Sequence, residues 1–350
     1  MLNIRPDVRR IAPLARNLFV LLVLHGAAAH GAGAVPGGTR ITDHLYGTRF
    51  VTADDGWAVG AFGTIFRTHD GGRSWDAQVS GTLEQLFSVD FADVRTGWAV
   101  GRAGVIVHTS DGGTTWRLQA TPKEQHLFKV RVIDAQRAWA VGDWGTVLAT
   151  RNGGQTWEDR SLPRDVILYS QAWPDAQHGW VIGEAGAIVA TQDGGATWTE
   201  QTSGVEKTLF GVSFTDAQHG WAVGLDGIIL RTRDGGQSWQ LLRGDADVDA
   251  LEQVGFKEAF DNPSLYDVVV TPTFGYAVGD NGAVFVSTDG GSSWTRAAVP
   301  AAANLRWLRA ASVVSGTHGL LVGANGLTLQ VAGTQVTLPE KVQNAPAMAD

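Results

Sequence analysis

Short apolar runs alternate with glycine-rich turns along most of the chain. Phe87, Val89 and Phe91 alternate with polar residues, and two further apolar runs, 97–100 and 105–107, are separated by the turn 101–104. A period of two with frequent turns is typical of β-strands, and no 3.6-residue periodicity runs through these segments. The pattern predicts an all-β protein and excludes a solenoid of helix pairs.

The same pattern recurs with a period of about 41 residues. A Trp-Ala-Val-Gly or similar tetrapeptide ends, in successive units, at Gly60, Gly101, Gly142, Gly183, Gly224, Gly279 and Gly323. Most units open with Leu-Phe or Leu-Tyr, and six close with a segment near Thr-x-Asp-Gly-Gly-x-Ser/Thr-Trp, the Asp-box. Four short strands per repeat of this length is the spacing of a propeller blade. We therefore predict a seven-bladed β-propeller of four-stranded blades.

The marks of the repeat also give domain boundaries. The propeller is predicted over 38–338, with blades at about 45–80, 86–119, 127–161, 168–202, 209–243, 265–298 and 305–338. An insertion, 244–264, has apolar residues at roughly helical spacing and predicts a short acidic amphipathic helix, which either packs as a simple insertion, caps the channel or docks a partner. The seventh unit lacks an Asp-box, and its outer strand is expected at 336–338. Residues 38–42 are a candidate clasp for the ring, and 339–350 form a tail.

The first 34 residues differ from the rest of the chain. Four arginines precede the apolar run 18–24, which is followed by alanine-rich sequence. This order predicts a secretory signal peptide, because the apolar run is much shorter than the roughly 20 residues of a membrane-spanning helix. We therefore expect an exported protein of the periplasm, or of the thylakoid lumen in a phototrophic host, without membrane insertion after cleavage.

Charge and cysteine content narrow the classes of partner. The chain has a net charge of −8 and becomes more negative once the basic leader is removed. Such acidity argues against nucleic acid or an anionic lipid surface as a partner. The chain contains no cysteine, which excludes disulfides. We expect a monomer.

The Asp-box residues recur too strictly to mark one functional site. A short acidic side chain accepts hydrogen bonds from backbone amides in a turn, glycine supplies positive φ, and the tryptophan packs between blades. Asn152 in the third copy favours this structural interpretation, because the turn survives there without the charge. The set is Asp70, Trp75, Asp111, Trp116, Asn152, Trp157, Asp193, Trp198, Asp234, Trp239, Asp289 and Trp294.

The short turns that follow each Ala-Val-Gly carry the residues that do not repeat. In propellers these turns and the connections between blades form one face near the channel, and loops on a rigid scaffold commonly carry function. We predict a partner-binding face there. Its candidate residues are Phe62, Arg102, Asp143, Trp144, Glu184, Asp226, Asp280 and Asn281.

Other chemistry-bearing residues are interpreted as structural. His178, His219 and His318 precede the buried strand in equivalent turns of different blades, so no metal site is predicted. Tyr46, Tyr169 and Tyr266 share an aromatic position with phenylalanines, and Tyr276 replaces a repeated tryptophan. All four tyrosines are predicted to pack, and no cofactor is expected.

The Leu-Phe/Tyr opening, the Gly-Trp-Ala-Val-Gly centre and the Asp-box ending together resemble the photosystem II stability and assembly factor family and its bacterial relatives. The resemblance covers nearly the whole chain beyond the leader. It implies an exported seven-bladed propeller without chemistry of its own, which binds a membrane protein or an envelope protein complex during assembly.

A second class of function stays open, because Asp-boxes also occur in sialidases and xyloglucanases. In that alternative the protein is a secreted glycan-active or glycan-binding propeller, with Asp143, Glu184 or Asp226 as acid and base. Hydrolysis of this kind needs two carboxyl groups about 5 to 10 Å apart in one cleft.

Overall fold

The computed structural model describes residues 41–244, 262–315 and 318–339. The predicted signal peptide, the bulk of the insertion with its predicted helix and nearly all of the tail lie outside these residues. Within them the chain forms seven sheets of four consecutive antiparallel strands, which confirms the predicted seven-bladed propeller. None of the described helices is long and apolar enough to cross a membrane.

The strands are numbered in chain order, four to a blade. Blades 1 and 2 contain β1 (Leu45–Phe50), β2 (Gly56–Gly60), β3 (Ile65–Thr68), β4 (Asp76–Gln78), β5 (Leu86–Phe91), β6 (Gly97–Gly101), β7 (Ile106–Thr109) and β8 (Arg117–Leu118). Blades 3 and 4 contain β9 (Leu127–Val132), β10 (Ala138–Gly142), β11 (Val147–Thr150), β12 (Glu158–Asp159), β13 (Leu168–Ala172), β14 (Gly179–Gly183), β15 (Ile188–Thr191) and β16 (Thr199–Gln201). Blades 5 and 6 contain β17 (Leu209–Phe214), β18 (Gly220–Gly224), β19 (Ile229–Thr232), β20 (Gln240–Arg243), β21 (Leu265–Val270), β22 (Gly275–Gly279), β23 (Val284–Ser287) and β24 (Thr295–Arg296). Blade 7 contains β25 (Leu308–Ser315), β26 (His318–Gly323), β27 (Thr328–Ala332) and β28 (Gln335–Thr337), so its outer strand begins one residue before the predicted one.

The only described helices are single 3-10 turns. Six of them follow the second strand of a blade, at Ala61–Gly63, Arg102–Gly104, Glu184–Gly186, Leu225–Gly227, Asp280–Gly282 and Ala324–Gly326, and one lies at Ala301–Ala303. Because each first strand pairs antiparallel to the second, these turns lie on the same side of the ring as the connections that enter each blade. The Asp-boxes lie on the opposite side.

The second strand of each blade is the centre of the core. In β2, β6, β10, β14, β18 and β22 all five residues are buried, because neighbouring blades cover both faces of the sheet. The final glycine of this strand is required by close approach, since a Cβ at Gly60 would collide with the carbonyl oxygen of His44. The Trp-Ala-Val-Gly repeat is therefore a packing motif, whose apolar burial contributes roughly 25 cal/mol per Å².

The ring closes without exchange of strands between the chain ends, as far as the described residues show. β1 packs against β25, and the backbone amide of Phe50 donates a hydrogen bond to Ser312 Oγ at 2.9 Å. Ile41, at the start of the described chain, packs beside blade 7 without forming a strand, and the amide of Asn325 donates to His44 Nδ1 at 3.0 Å. The proposed clasp is thus seen only through Ile41 and Thr42, because 38–40 lie outside the described residues.

Candidate binding face

A β-bulge near the start of each innermost strand distinguishes one residue per blade. In blade 1, Leu45 pairs with Gly60 and Gly47 pairs with Val59, so Tyr46 falls out of register. The same irregularity recurs in all seven blades. Bulges commonly redirect a side chain near a functional site. The bulged residues, here called the collar, are Tyr46, Phe87, Phe128, Tyr169, Phe210, Tyr266 and Arg309.

The collar aromatics contact one another from blade to blade. Ring centroids are 5.8 Å apart for Tyr46 and Phe87, and 5.0 to 5.5 Å apart for the four pairs that follow up to Tyr266. These spacings are typical of favourable aromatic pairs. The innermost strands of neighbouring blades also contact each other, so the rings encircle one mouth of the central channel. The tyrosines at this position pack as predicted, and their partners are the collar phenylalanines of neighbouring blades.

Blade 7 breaks the aromatic series with a cation. The guanidinium of Arg309 lies over the ring of Tyr266 at 4.3 Å, within the range of a cation–π interaction. Trp307, two residues earlier, stacks on Tyr46 with centroids 5.8 Å apart. Sequence reasoning missed both residues, because the looser opening of the seventh unit hides their correspondence to the other blades.

The turn after each second strand has two positions with different roles. The first residue lies next to the collar in blade 6, where the hydroxyl of Tyr266 donates to Asp280 Oδ2 at 2.9 Å. Asp143 and Glu184 occupy the same position in blades 3 and 4, and both act electrostatically on Tyr169. The structure therefore brings Asp143, Glu184 and Asp280 to the rim of the collar.

The second residue of the turn has positive φ and points outward in blades 1 and 3. Phe62 has φ of 56° and is 50% exposed, while Trp144 has φ of 57° and is 55% exposed. Asp226 and Asn281 take the same backbone conformation. A positive φ is uncommon for residues other than glycine. The exposed aromatics are therefore placed on the face by a strained turn.

The remaining candidate residues form local ion pairs. Arg102 approaches Glu84 at 3.7 Å, and Asp226 accepts a hydrogen bond from Lys207 Nζ at 2.5 Å. Leu83 and Leu305, in connections between blades, are 85% and 75% exposed on the same side of the ring. We call this side the collar face: the collar, the turns after the second strands and the connections between blades.

Burial sets the proton affinities at the collar. It raises the pKa of Asp280, against the opposing effects of Tyr266 and Arg309. Burial and then the nearby Asp280 carboxylate raise the pKa of Tyr266 well above its usual range. A tyrosine nucleophile needs the opposite shift. The arrangement of Tyr266, Asp280 and Arg309 therefore suits recognition better than nucleophilic attack.

Ion pairs fill the channel below the collar. Lys129 Nζ approaches Asp267 at 3.6 Å, joining blades 3 and 6. Further along, Arg49 and Arg131 both contact the buried Asp90, at 3.0 and 3.3 Å. A cavity of about 190 Å³ remains among these groups. The innermost strands thus combine an aromatic mouth with a charged interior.

The Asp-boxes form a second, different face of the ring. Asp111 accepts from the amide and hydroxyl of Thr115, at 2.9 and 2.7 Å, and from the hydroxyl of Thr109 at 2.9 Å. The hydrogen bonds from Thr115 hold the pKa of Asp111 at about 2. Asn152 accepts the equivalent amide bond from Thr156 at 3.0 Å. We call this side, with the turns between first and second strands, the Asp-box face.

The turn histidines have local partners on the Asp-box face. His178 Nδ1 lies 2.8 Å from Asp175, and His219 Nδ1 lies 2.9 Å from Asp216. Among the residues that the structure describes, no group of three or more His, Cys, Asp or Glu side chains is arranged to hold a metal ion.

Comparison with known proteins shows which propellers the chain resembles. The family model described as photosynthesis system II assembly factor YCF48 matches residues 38–120 and 200–262. No curated protein sequence matches significantly. The solved structure of YCF48 bound to D1 peptide is 20% identical, with a TM-score of 0.66, and the match covers 84% of this chain and 95% of that one.

Two further solved structures show how widely the fold is shared. YCF48 from Cyanidioschyzon merolae is 19% identical, with a TM-score of 0.65 and coverage of 85% and 97% of the two chains. The GH74 xyloglucanase from Xanthomonas campestris is 14% identical, with a TM-score of 0.65, and the match covers 88% of this chain but 55% of the enzyme. The partial family match and the shared fold agree with the resemblance indicated by the repeats: this chain is a seven-bladed β-propeller with Asp-box repeats that is similar to the photosystem II assembly factor YCF48.

Proposed function

We propose that the protein is a non-catalytic scaffold that binds a membrane-protein partner through its collar face and assists the assembly or stability of a membrane-protein complex. The observation that carries the proposal is the collar, a ring of six aromatic side chains and one arginine at the channel mouth. Aromatic residues and arginine are the side chains most enriched at the energetic centres of protein interfaces.

The surroundings of the collar support a polypeptide ligand. Phe62, Trp144, Leu83 and Leu305 expose apolar surface around the mouth, while Asp143 and Glu184 add polar groups at the rim. A related propeller has been solved with a D1 peptide bound. The basic and apolar pattern of residues 1–34 supports export, so we place the mature protein in the periplasm, or in the thylakoid lumen of a phototroph, as a monomer.

The proposal is tested by capture from detergent-solubilised envelope membranes. The test variant combines Phe62→Ala, Trp144→Ala and Leu305→Ala on the collar face. The control combines Val79→Ala, Leu118→Ala and Leu241→Ala, which removes exposed apolar side chains from outer strands and the residues just after them. We expect one integral membrane protein, identified by mass spectrometry, to be retained by the wild type and the control and to be lost from the test variant.

Two results would contradict the scaffold. Recovery of no membrane protein by the wild type is one, and equal recovery by both variants is the other. Melting curves of all three proteins must coincide for the comparison to count. The glycan-active alternative is tested with xyloglucan oligosaccharides, where cleavage that is lost in Asp143→Asn and Glu184→Gln would replace the scaffold with a hydrolase.

A further inference from the structure

In one blade of the ring, an arginine side chain of the protein itself packs beside the buried tryptophan of the second strand. Phe91 of blade 2 stacks on Trp57 of blade 1 with ring centroids 3.7 Å apart, and the guanidinium of Arg67 in blade 1 lies 4.9 Å from the same tryptophan ring. Arg67 also donates to the carbonyl oxygen of Gly112 in the next Asp-box at 2.8 Å. Its other terminal nitrogen donates to Asp55 Oδ1 at 3.3 Å. A guanidinium is thus held by an aromatic ring, a backbone carbonyl and a carboxylate at the seam between two blades.

Equivalent positions in two other blades also carry basic side chains. In blade 5 the nearly buried Arg231 lies 6.0 Å from the ring of Trp221, and in blade 2 His108 lies 4.5 Å from Trp98. The sheet registers confirm the equivalence, because each of these residues pairs directly with the tryptophan of the second strand. Burial lowers the pKa of His108 and favours its neutral form. The fold therefore accepts an arginine at this site in two blades and a histidine in a third.

Blade 3 has the same site without the side chain. Trp139 pairs with Ala149 and stacks on Trp173 at 4.8 Å. A cavity of about 120 Å³ lies there, lined by Trp139, Ala149 and Gly194 among others. Gly194 corresponds to Gly112 of the first seam. The space equals about four waters at roughly 30 Å³ each, which suits a guanidinium and part of its stem.

A second substitution contributes to the empty space at the seam between blades 3 and 4. In the preceding seam, Gln119 accepts hydrogen bonds from Trp98 and Trp157 and donates to the carbonyl of Gly153. The equivalent residue in blade 3 is Arg160, which turns back to Glu158 at 2.7 Å.

Without a glutamine that links the two tryptophans, the side chains at the seam between blades 3 and 4 are arranged differently. Trp198 Nε1 is buried without a hydrogen-bond partner in the described part of the chain. The ring of Trp139 leans over Gly195, in the place that Gln119 takes over Gly154 in the preceding seam. A further cavity of about 720 Å³, lined by Leu162 and Trp198, lies at the same seam. The seam between blades 3 and 4 is therefore open where the seam between blades 1 and 2 is filled.

The charges around the small cavity permit a cation. Arg137 lines the cavity where blade 1 has Asp55, and its guanidinium pairs with Asp134 at 2.7 Å, which offsets part of its charge. Arg151 corresponds to Arg233 of blade 5, which does not prevent Arg231 from occupying the same site there. Asp193 lines the cavity as well, and its counterpart Asp289 favours the charged form of Arg231.

We propose that the cavity between blades 3 and 4, on the Asp-box face, binds an arginine side chain presented by a basic segment of a partner protein. The guanidinium lies against Trp139 and donates to the carbonyl of Gly194, as Arg67 does with Trp57 and Gly112. The site is separate from the collar, so its occupancy does not depend on the proposed scaffold function.

The test uses acetyl-arginine methylamide as the probe and acetyl-citrulline methylamide as its neutral counterpart. Binding is followed by the ¹H–¹⁵N signal of the Trp139 indole, which the Trp139→Phe variant identifies. We expect the arginine probe to shift this signal saturably and the citrulline probe to bind about tenfold more weakly, because the cation–π interaction is lost. The Trp57 indole, whose site is already filled, is expected to stay unchanged.

Three variants sharpen the result. Ala149→Arg fills the cavity from within and is expected to abolish the shift, whereas Leu118→Arg adds the same charge on an outer strand and leaves it. Arg151→Glu, at an exposed position, is expected to strengthen binding several-fold. Equal binding of both probes, or saturable binding that survives Ala149→Arg, would overturn the proposal, as would weaker binding in Arg151→Glu.

Discussion

The two faces of the ring are built from the same repeat, but one face has nearly the same residues in each blade and the other does not. On the Asp-box face, blade after blade repeats the same turn, with an acidic or amide side chain held by local hydrogen bonds. On the collar face the backbone repeats, but the turn residues change from Phe62 to Trp144 to Asp226. A position that repeats is explained by the demands of the blade. A position that varies on a constant backbone is free to serve recognition.

A pair of tryptophan substitutions tests this contrast with the largest expected effect. Trp180 is 2% exposed, stacks on Phe214 at 3.6 Å and donates to the carbonyl of Gly235. Trp180→Ala is expected to lower the free energy of unfolding by about 3–5 kcal/mol. Trp144→Ala is expected to change it by no more than about 0.5 kcal/mol, while weakening capture of the partner. Urea denaturation measures both, and equal destabilisation would erase the distinction between the faces.

The Asp-box turn itself gives a smaller effect with a built-in reference. Asp111→Ala removes the acceptor of the Thr115 amide and hydroxyl, which are exposed and can bond to water instead, and we expect a loss of about 1–2 kcal/mol in the free energy of unfolding. Asp111→Asn is expected to lose less than about 1 kcal/mol, because Asn152 already supports the same turn. If the asparagine variant is as unstable as the alanine variant, the charge rather than the turn geometry is required.

Acid is expected to lower the stability of the folded protein by protonating the Asp-box carboxylates. Hydrogen bonds from the Ser or Thr at the end of the box hold the pKa of Asp111, Asp193, Asp234 and Asp289 at about 2, below the ordinary value of 3.8. A lowered carboxyl pKa stabilises the folded state above the unfolded pKa, and this stabilisation is lost as pH falls from about 3.8 towards 2. Urea midpoints over this range are expected to decline, and Asp111→Asn should show a shallower decline than the wild type.

The smallest expected effect concerns the collar. Tyr266→Phe removes the hydrogen bond to Asp280, which lowers the pKa of that carboxyl in the intact protein. The variant should therefore raise the pKa of Asp280 further, with a change in stability of about 1 kcal/mol or less. Carboxyl ¹³C titration by NMR measures the shift. An unchanged pKa would mean that the Tyr266 hydroxyl does not affect the protonation of Asp280.

The sequence predicts the fold well because each element of the blade leaves a periodic mark. The five buried residues of β6 need Trp, Ala and Val between two glycines, and the Asp-box needs its side chain and glycines at fixed spacing. The same regularity made Tyr46 and Tyr266 look like simple packing residues. Their bulge is visible only in strand register, since one residue out of register changes the direction of a side chain.

The candidate site was therefore predicted only as a face. The turn residues were found because they vary from blade to blade. The different roles of Asp280, which lies against Tyr266, and Asn281, which has positive φ, could not be predicted from the sequence. Arg309 was missed because its unit lacks the repeated aromatic. The cavity beside Trp139 depends on Ala149 and Arg160 together, two residues that look unremarkable until neighbouring blades are superimposed by register.

The closure of the ring between Phe50 and Ser312 also has a consequence for how the chain reaches its native state. The partners of this bond are 262 residues apart, so the first blade gains its last neighbour only when the C-terminal blade has emerged. Contacts of such sequence separation slow folding, and the uncovered side of an early blade is prone to association with other chains. A chain truncated before β25 would keep that side open permanently. The protein is therefore expected to need protection during synthesis for as long as its first and last blades remain apart.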